Sequence, residues 1–181
     1  DGIRDCLLSR GLGDVYKRQV RKRRKYLYII MRVVVQRVSQ SSVIIESDIV
    51  SSISKGLLIL LGVENNDTLD DVNWLIRKII NLRIFTDIDG KMNNSILDIK
   101  GDIIVVSQFT LHAKTKKGNR PSYINAAPPK IAIPLYENFV QVLKNESKLN
   151  VLTGQFGADM KVSLINDGPV TIIIDSKNRD F

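Results

Sequence analysis

Two uninterrupted apolar runs, Leu57–Leu61 and Ile103–Val106, constrain the fold of this chain more than any other feature. Each has the length of a strand and contains no polar residue, which is typical of a strand that is buried on both faces of a sheet. Helical spacing of apolar residues follows each run, first from Leu69 to about residue 82 and again after Pro128. The sequence therefore predicts an α/β fold in which two buried strands are each followed by a helix.

Further strands are expected on either side of these two units. Met31–Val38 is rich in β-branched residues, and the polar segment Ser39–Ser42 is expected to turn the chain into further short strands around Glu46–Asp48. No internal repeat or linker divides residues 31–181, so we expect one domain there. Three strands are expected to close the chain: Leu149–Thr153, Ala158–Ile165 and Val170–Asp175.

The first thirty residues differ from the rest of the chain. They hold nine Lys or Arg and three Asp, and so carry six of the eight net positive charges. We interpret residues 1–30 as a non-native or disordered leader, of which the first part resembles translated adaptor sequence, and Met31 as the start of the domain. A basic arm that binds RNA and the beginning of a signal peptide are the alternatives. No stretch of about twenty apolar residues occurs, so no membrane span is expected.

The supply of reactive side chains excludes several mechanisms. Cys6 is the only cysteine and His112 the only histidine. The domain from Met31 onward therefore offers no thiol nucleophile, no cysteine metal site and no histidine-rich metal cluster. We expect neither a metal nor a cofactor, and a domain without cysteine suits the reducing cytoplasm. Catalysis would have to use hydroxyls, backbone N–H groups or groups of the substrate.

Polar residues follow the second apolar run directly. They are Ser107, Gln108 and Thr110, with Phe109 between them. Ligands of helix-flanked sheets usually bind at such strand ends. A second interpretation is that the hydroxyls only satisfy backbone groups where the strand stops. We interpret His112 as a polar side chain beside this site rather than as a general base, because the spacing fixes no Ser-His-Asp triad.

A long segment without hydrophobic period, residues 113–128, comes next in the chain. Loops of this length in compact domains are usually functional or disordered. Its cations, with Tyr123 nearby, suit contacts to a phosphate backbone, and a solvated loop fits the sequence equally well. The cations are Lys114, Lys116, Lys117 and Arg120.

Short motifs occur in a defined order along residues 31–175. Ser107–Leu111 reads SQFTL and Asn166–Thr171 reads NDGPVT. Supporting segments are Met31–Val38, Gly56–Leu58, Asn81–Phe85 and Phe156–Met160. Each motif alone is weak, but the ordered set is specific. Together they resemble the D-aminoacyl-tRNA deacylase family over essentially the whole domain.

The resemblance implies a single three-layer α/β/β domain with a mixed β-sheet, built as a strand hairpin, two βα units and three closing strands. It implies a cytoplasmic homodimer with active sites at the subunit interface, acting on aminoacylated tRNA and not on DNA or membranes. The implied reaction is a chiral proofreading step. It hydrolyses the ester between the 3′ end of tRNA and a D-amino acid, or a misplaced glycine.

The resemblance also implies roles for individual residues. In the family a Gly-cisPro pair directs its carbonyls at the substrate amino group in the partner subunit's site, and here this pair is Gly168 and Pro169. The main-chain atoms of this pair, called the backbone wall from here on, leave room for a D-residue and exclude an L side chain by collision. Arg37 is expected to brace this pair. The residues expected to contact phosphates of the acceptor stem are Lys114, Lys116, Lys117 and Arg120.

Two schemes for the ester cleavage remain open. In one, Thr110 is the nucleophile. In the other, the terminal ribose 2′-hydroxyl of the tRNA positions or activates water, N–H groups near Phe109 and Thr110 stabilise the oxyanion, and Ser107 and Gln108 orient the site. We favour the second scheme because the sequence presents no evident base for Thr110. A non-catalytic tRNA-binding module and an amidohydrolase of free D-amino-acid derivatives are the rival functions. His112 departs from the aromatic residue common at its position in the family.

Overall fold

The computed structural model describes residues 31–116 and 118–179. The leader expected at residues 1–30 lies outside the described residues. So does Lys117, which belongs to the segment at residues 113–128, called the basic loop from here on. In the part of the chain that is described, no helix is both long enough and apolar enough to cross a membrane.

Strands and helices follow one another broadly in the predicted order. The strands are β1 (Arg32–Ile45), β2 (Asp48–Ile53), β3 (Gly56–Gly62), β4 (Phe85–Thr86), β5 (Met92–Asn94), β6 (Asp102–Ser107), β7 (Val151–Thr153) and β8 (Lys161–Asp175). The helices are α1 (Leu69–Ile80), α2 (Ile96–Ile99) and α3 (Pro129–Ser147), and a 3₁₀ turn spans Phe109–His112.

One mixed sheet of six strands organises the domain. Its order is β2-β1-β3-β6-β7, and β8 pairs with β1 in antiparallel orientation. Strands β2 and β3 pair with successive parts of β1, whereas β8 follows β1 along nearly its whole length. Strands β3, β6 and β7 are parallel, as two βα units require. Strands β4 and β5 form a separate small hairpin.

The two apolar runs are buried on both faces, as the sequence predicts. Residues such as Ile59 and Val105 enter a core that they share with α1 and α3. Their neighbours Leu58 and Ile104 enter a second core on the other face, which residues of β2 and β8 help to enclose. The helices, the central strands and the covering parts of β2 and β8 make the three predicted layers.

Local sequence explains where both long helices begin. The N–H of Thr68 donates to the Asp71 carboxylate at 2.9 Å, which forms part of a capping box at the start of α1. Pro129 occupies the first turn of α3. A backbone N–H at this position would have no acceptor within the helix, so proline costs no hydrogen bond there. Pro134 lies within the same helix rather than ending it.

Two expected boundaries differ from the structure. The prediction of a turn at Ser39–Ser42 is wrong, because β1 runs without interruption to Ile45. The hydroxyl of buried Ser41 donates to the carbonyl of Ser163 at 3.0 Å, so this polar residue is satisfied within a strand. The last two predicted strands form one strand, β8, in which Asn166–Pro169 lies at an irregularity of the pairing with β1.

Candidate active site

The polar strand end becomes a tight turn held against the sheet. Ser107 ends β6 opposite Leu61 of β3. The N–H of Gln108 still donates to the Leu61 carbonyl at 2.8 Å, although β6 has ended. The N–H groups of Phe109 and Thr110 open the 3₁₀ turn and therefore have no acceptor within it. This edge of the sheet thus offers backbone donors beside the side chains that the sequence singled out.

The Thr110 hydroxyl is paired with an amide. Gln108 Nε2 donates to Thr110 Oγ1. An amide nitrogen carries protons and no free lone pair for a further one, so Gln108 cannot deprotonate Thr110. The hydrogen-bond partner that the structure gives Thr110 is therefore a donor rather than a base.

A cavity of about 250 Å³ opens beside this turn. Tyr136 of α3 lines it and donates its hydroxyl to the Val105 carbonyl at 2.8 Å. Burial raises the pKa of Tyr136 to about 12, so the phenol stays neutral. The lining is mostly apolar, with polar groups on the wall formed by the strand end, as is usual for small-molecule sites. Its residues are Leu61, Val63, Val106, Ser107, Gln108, Phe109, Ala127, Ala132, Tyr136, Phe156, Gly157, Ala158, Met160 and Val162.

The basic loop leaves directly from the turn. Phe109 is 57% exposed and meets the ring of Tyr123 edge to face, with 5.0 Å between ring centroids. Lys114 and Ser122 exchange two backbone hydrogen bonds, which fold the loop back on itself. The predicted phosphate-binding cations that the structure describes, Lys114, Lys116 and Arg120, are all exposed.

Gly168 and Pro169 form a second cluster, and the peptide bond between them is cis. Arg37, with 10% of its side chain exposed, donates from Nε to the Asp167 carbonyl at 2.8 Å and from Nη1 to the Ile84 carbonyl. Asn166 accepts from the Val170 N–H at 2.8 Å and donates to the Val170 carbonyl at 3.0 Å. These bonds fix the backbone on both sides of the Gly-Pro pair.

Only glycine fits the position before Pro169. Gly168 has a φ of +149°, which side chains of L-residues rarely adopt. A Cβ there would lie 2.7 Å from the Val170 nitrogen and 2.7 Å from Val170 Cγ2. Any larger residue would therefore displace the segment.

The two clusters remain separate in one chain. Ser107, Gln108 and Phe109 line the cavity, whereas neither Gly168 nor Pro169 is among its lining residues. The structure therefore brings the strand-end residues together at one site and Arg37, Gly168 and Pro169 together at another.

His112 is buried rather than exposed beside the site. Its Nδ1 lies 3.1 Å from Glu64 Oε1, with side-chain exposures of 2% and 5% for the two residues. Burial lowers the pKa of His112, and the Gly62 backbone and the Glu64 carboxylate oppose this effect. Sequence reasoning missed Glu64, which follows β3 without any local pattern that announces a partner. In the described residues, no group of three or more His, Cys, Asp or Glu could hold a metal ion.

Comparison with known proteins decides the family. The family model described as D-Tyr-tRNA(Tyr) deacylase matches residues 34–175. The chain belongs to this deacylase family. A D-aminoacyl-tRNA deacylase of Flavobacterium psychrophilum is 67% identical over 150 residues, covering 83% of this chain and 100% of that protein. One from Bacteroides fragilis strain YCH46 is 60% identical, with the same coverage of both chains.

Solved structures resemble the deacylase domain closely. One titled "c-Myc DNA Unwinding Element Binding Protein" has a TM-score of 0.75 and 40% identity, covering 80% of this chain and 97% of that one. Another, titled "Structural Analysis of a probable eukaryotic D-amino acid tRNA deacylase", has a TM-score of 0.70 and 18% identity, covering 81% and 99%. At that identity the second likeness concerns the fold alone.

Proposed function

We propose that this chain hydrolyses the ester bond of D-aminoacyl-tRNA, and of tRNA mischarged with glycine, at the cavity beside the 3₁₀ turn. The observation that carries the proposal is a mostly apolar cavity lined by Ser107, Gln108 and Phe109, where the 3₁₀ turn begins, in a chain of the deacylase family. The transition state of ester hydrolysis gathers negative charge on the carbonyl oxygen. Backbone donors that are fixed in advance stabilise such a charge.

Water activated by the terminal ribose 2′-hydroxyl of the tRNA is the attacking group in this proposal, and Thr110 is not the nucleophile. The support is the bond from Gln108 Nε2 to Thr110 Oγ1, which gives Thr110 a donor where a nucleophile needs a base. The substrate's own hydroxyl is already held within reach of its ester, so orientation supplies much of the rate. Ser107 and Gln108 orient this site.

Selection against L-amino acids is assigned to the backbone of Gly168 and Pro169. A backbone wall excludes an L side chain by collision and makes no contact that depends on the identity of the D side chain. Arg37 holds the wall through the Asp167 carbonyl. Since neither Gly168 nor Pro169 lines the cavity of its own chain, we propose a homodimer in which each subunit supplies the wall to its partner's cavity.

The tRNA is held by the loop that follows the turn. Lys114, Lys116 and Arg120 are exposed on this loop, and Lys117, outside the described residues, is included with them. Cations on a loop that starts at the cavity suit the acceptor stem, whose phosphates lie close to the ester. Phosphate contacts of this kind make the affinity fall as salt rises.

Release of the amino acid from charged tRNA is the test. Purified protein is incubated with D-tyrosyl-tRNA, L-tyrosyl-tRNA and glycyl-tRNA, and free amino acid is measured over time. We expect release from the D-tyrosyl and glycyl substrates and none above background from the L-tyrosyl substrate. Sedimentation of the same sample measures whether a dimer forms.

Other results of these assays would support one of the rival functions. Binding of charged tRNA without release supports a non-catalytic tRNA-binding module. Cleavage of free D-amino-acid derivatives with charged tRNA left intact supports an amidohydrolase. A binding arm with single-stranded DNA is included because one relative of known structure is titled as a DNA-element-binding protein. Tighter binding to DNA than to tRNA would contradict the proposal.

A further inference from the structure

We propose that His112 is a positioning residue for deacylation, which with Glu64 fixes the 3₁₀ turn bordering the cavity. The inference rests on the proposed function, because it assigns the pair a part in that reaction. His112 touches no substrate in this proposal. It acts through Phe109 and Thr110, the residues that open its own turn.

The pair itself is rigid and enclosed. His112 Nδ1 and Glu64 Oε1 are 3.1 Å apart, and both side chains are at least nine-tenths buried. The backbone N–H of Glu64 donates to Asp67 Oδ2 at 2.6 Å, so the segment that carries the carboxylate is held as well. A neutral imidazole donates from Nδ1 to this carboxylate, and a hydrogen bond to a charged acceptor in a dry site is strong.

A second anchor holds the same half of the turn. Arg32 donates from Nη1 to the Leu111 carbonyl at 3.0 Å. Its guanidinium is itself fixed by Asp175, at 2.6 and 3.0 Å. The charged groups that act on His112 are Glu64, Arg32 and Asp175, which come from three separate segments of the chain. Together the two anchors attach Leu111 and His112 to segments outside the turn.

The imidazole also sets how close the turn lies to β3. Gly62 ends β3 against the ring, and a Cβ at Gly62 would lie 2.7 Å from His112 Nε2 and 3.1 Å from the Gln108 carbonyl oxygen. The ring therefore fills the space that this glycine leaves. A side chain at position 112 that does not bond to Glu64 would not be held in this space and would let the turn shift relative to β6.

Such a shift would affect the chemical step more than tRNA binding. Misplacement of reacting groups by about 1 Å lowers rates about 100-fold. The cations of the basic loop lie beyond the turn and keep their charge. We therefore expect a loss in the single-turnover rate of deacylation with little change in the affinity for tRNA.

Two polar substitutions of His112 distinguish the effect of the bond to Glu64 from the effect of having any polar side chain at this position. His112→Asn places an amide nitrogen where Nδ1 lies, so it retains the donor to Glu64. His112→Gln places its amide nitrogen near the Nε2 position and loses that donor. His112→Leu removes both. We expect deacylation of D-tyrosyl-tRNA to fall about 10- to 100-fold in the Gln and Leu variants and less than about threefold in the Asn variant.

A matched control measures the effect of lost stability alone. Ser147 is buried at the end of α3, where its hydroxyl donates to the Leu143 carbonyl at 2.6 Å. Ser147→Ala removes this bond and the one that the hydroxyl accepts from the Leu149 N–H at 3.2 Å. Ser147 does not line the cavity, so we expect the deacylation rate of this variant to equal that of the unaltered protein. If Ser147→Ala slows the reaction as much as His112→Gln, or if Asn and Gln at position 112 behave alike, the proposal is overturned.

Hydrogen exchange separates failure of this inference from failure of the proposed function. The exchange rates of the Leu111 and Ala113 amides, which donate to the Gln108 and Thr110 carbonyls, report the turn without any substrate. We expect faster exchange in His112→Gln and unchanged exchange in His112→Asn. An unaltered protein that releases no amino acid would refute the proposed function, while unchanged exchange in His112→Gln would refute the positioning role.

Discussion

Replacement of Arg37 by lysine tests how the Gly-Pro backbone is held. Arg37 donates from two different nitrogens to two carbonyls, those of Asp167 and Ile84. A lysine ammonium keeps the charge, but its three N–H donors leave a single nitrogen, so we expect it to bond one of these carbonyls and not to span both as Nε and Nη1 do. The substitution therefore removes one buried hydrogen bond from a charged donor.

The magnitude follows from that bond. A hydrogen bond to a charged group contributes about 1.5–3 kcal/mol to the free energy of unfolding. The ion pair of Arg37 with Asp167 Oδ2 at 3.2 Å adds little, because 43% of the Asp167 side chain is exposed. For a domain of this size we expect Arg37→Lys to lower Tm by about 3–12 °C.

Thermal unfolding followed by circular dichroism measures the shift, and deacylation of D- and L-tyrosyl-tRNA measures its effect on selectivity. Arg83→Lys is the matched control, because Arg83 donates to the Asn93 carbonyl at 2.9 Å on the exposed surface. We expect Arg83→Lys to leave Tm and selectivity unchanged. An unchanged Tm in Arg37→Lys would refute the account of the anchor. A lowered Tm with full discrimination between the D and L substrates would refute its link to selectivity.

Three further perturbations test other parts of the molecule. Thr110→Ala should lower the single-turnover rate by less than about tenfold, and loss of all activity in a folded variant would instead identify Thr110 as the nucleophile. Gly168→Ala should abolish activity or selectivity, because its Cβ would meet the Val170 backbone at 2.7 Å; wild-type behaviour would mean that the wall lies elsewhere. Burial raises the pKa of Asp67 to about 6, above its value in the unfolded chain. The folded protein therefore binds this proton more tightly than the unfolded chain does. The stabilisation from this difference is present at low pH and is lost as pH rises through about 4 to 6. Asp67→Asn should remove that part of the pH dependence, at most about 2 kcal/mol between pH 4 and 7 in urea unfolding, and an unchanged pH profile would contradict the assignment.

The sequence predicts the central strands well because their signal is local. Continuous apolar runs such as Leu57–Leu61 have no polar face, so burial on both sides is the arrangement that removes all their apolar surface from water. The helix starts at Thr68 and Pro129 are equally local, since capping and the missing proline N–H act within one turn. The two buried strands and the helical segments from Leu69 and after Pro128 were predicted correctly without knowledge of tertiary contacts.

Features that depend on distant partners were not predictable in the same way. Ser41 suggests a turn by composition, yet its hydroxyl is satisfied by Ser163, far along the chain. Glu64 and His112 also lie far apart in sequence, and neither has a neighbour that indicates the other. The 3₁₀ turn at Phe109–His112 and the short helix α2 are single turns, too short to show a helical period. The separation of Gly168 from the cavity is likewise a property of the folded chain alone.

The pairing of β1 with β8 has a consequence for how the protein is made. The first strand of the domain needs the last one, from Arg32 opposite Asp175 to Ile44 opposite Lys161. Chains grow at about 5–20 residues per second, so β1 waits on the order of ten seconds with one edge unpaired while the ribosome completes the rest. An unpaired apolar edge invites association with other chains. Folding to the native sheet therefore follows the emergence of β8, and the risk of aggregation is concentrated in the nascent chain.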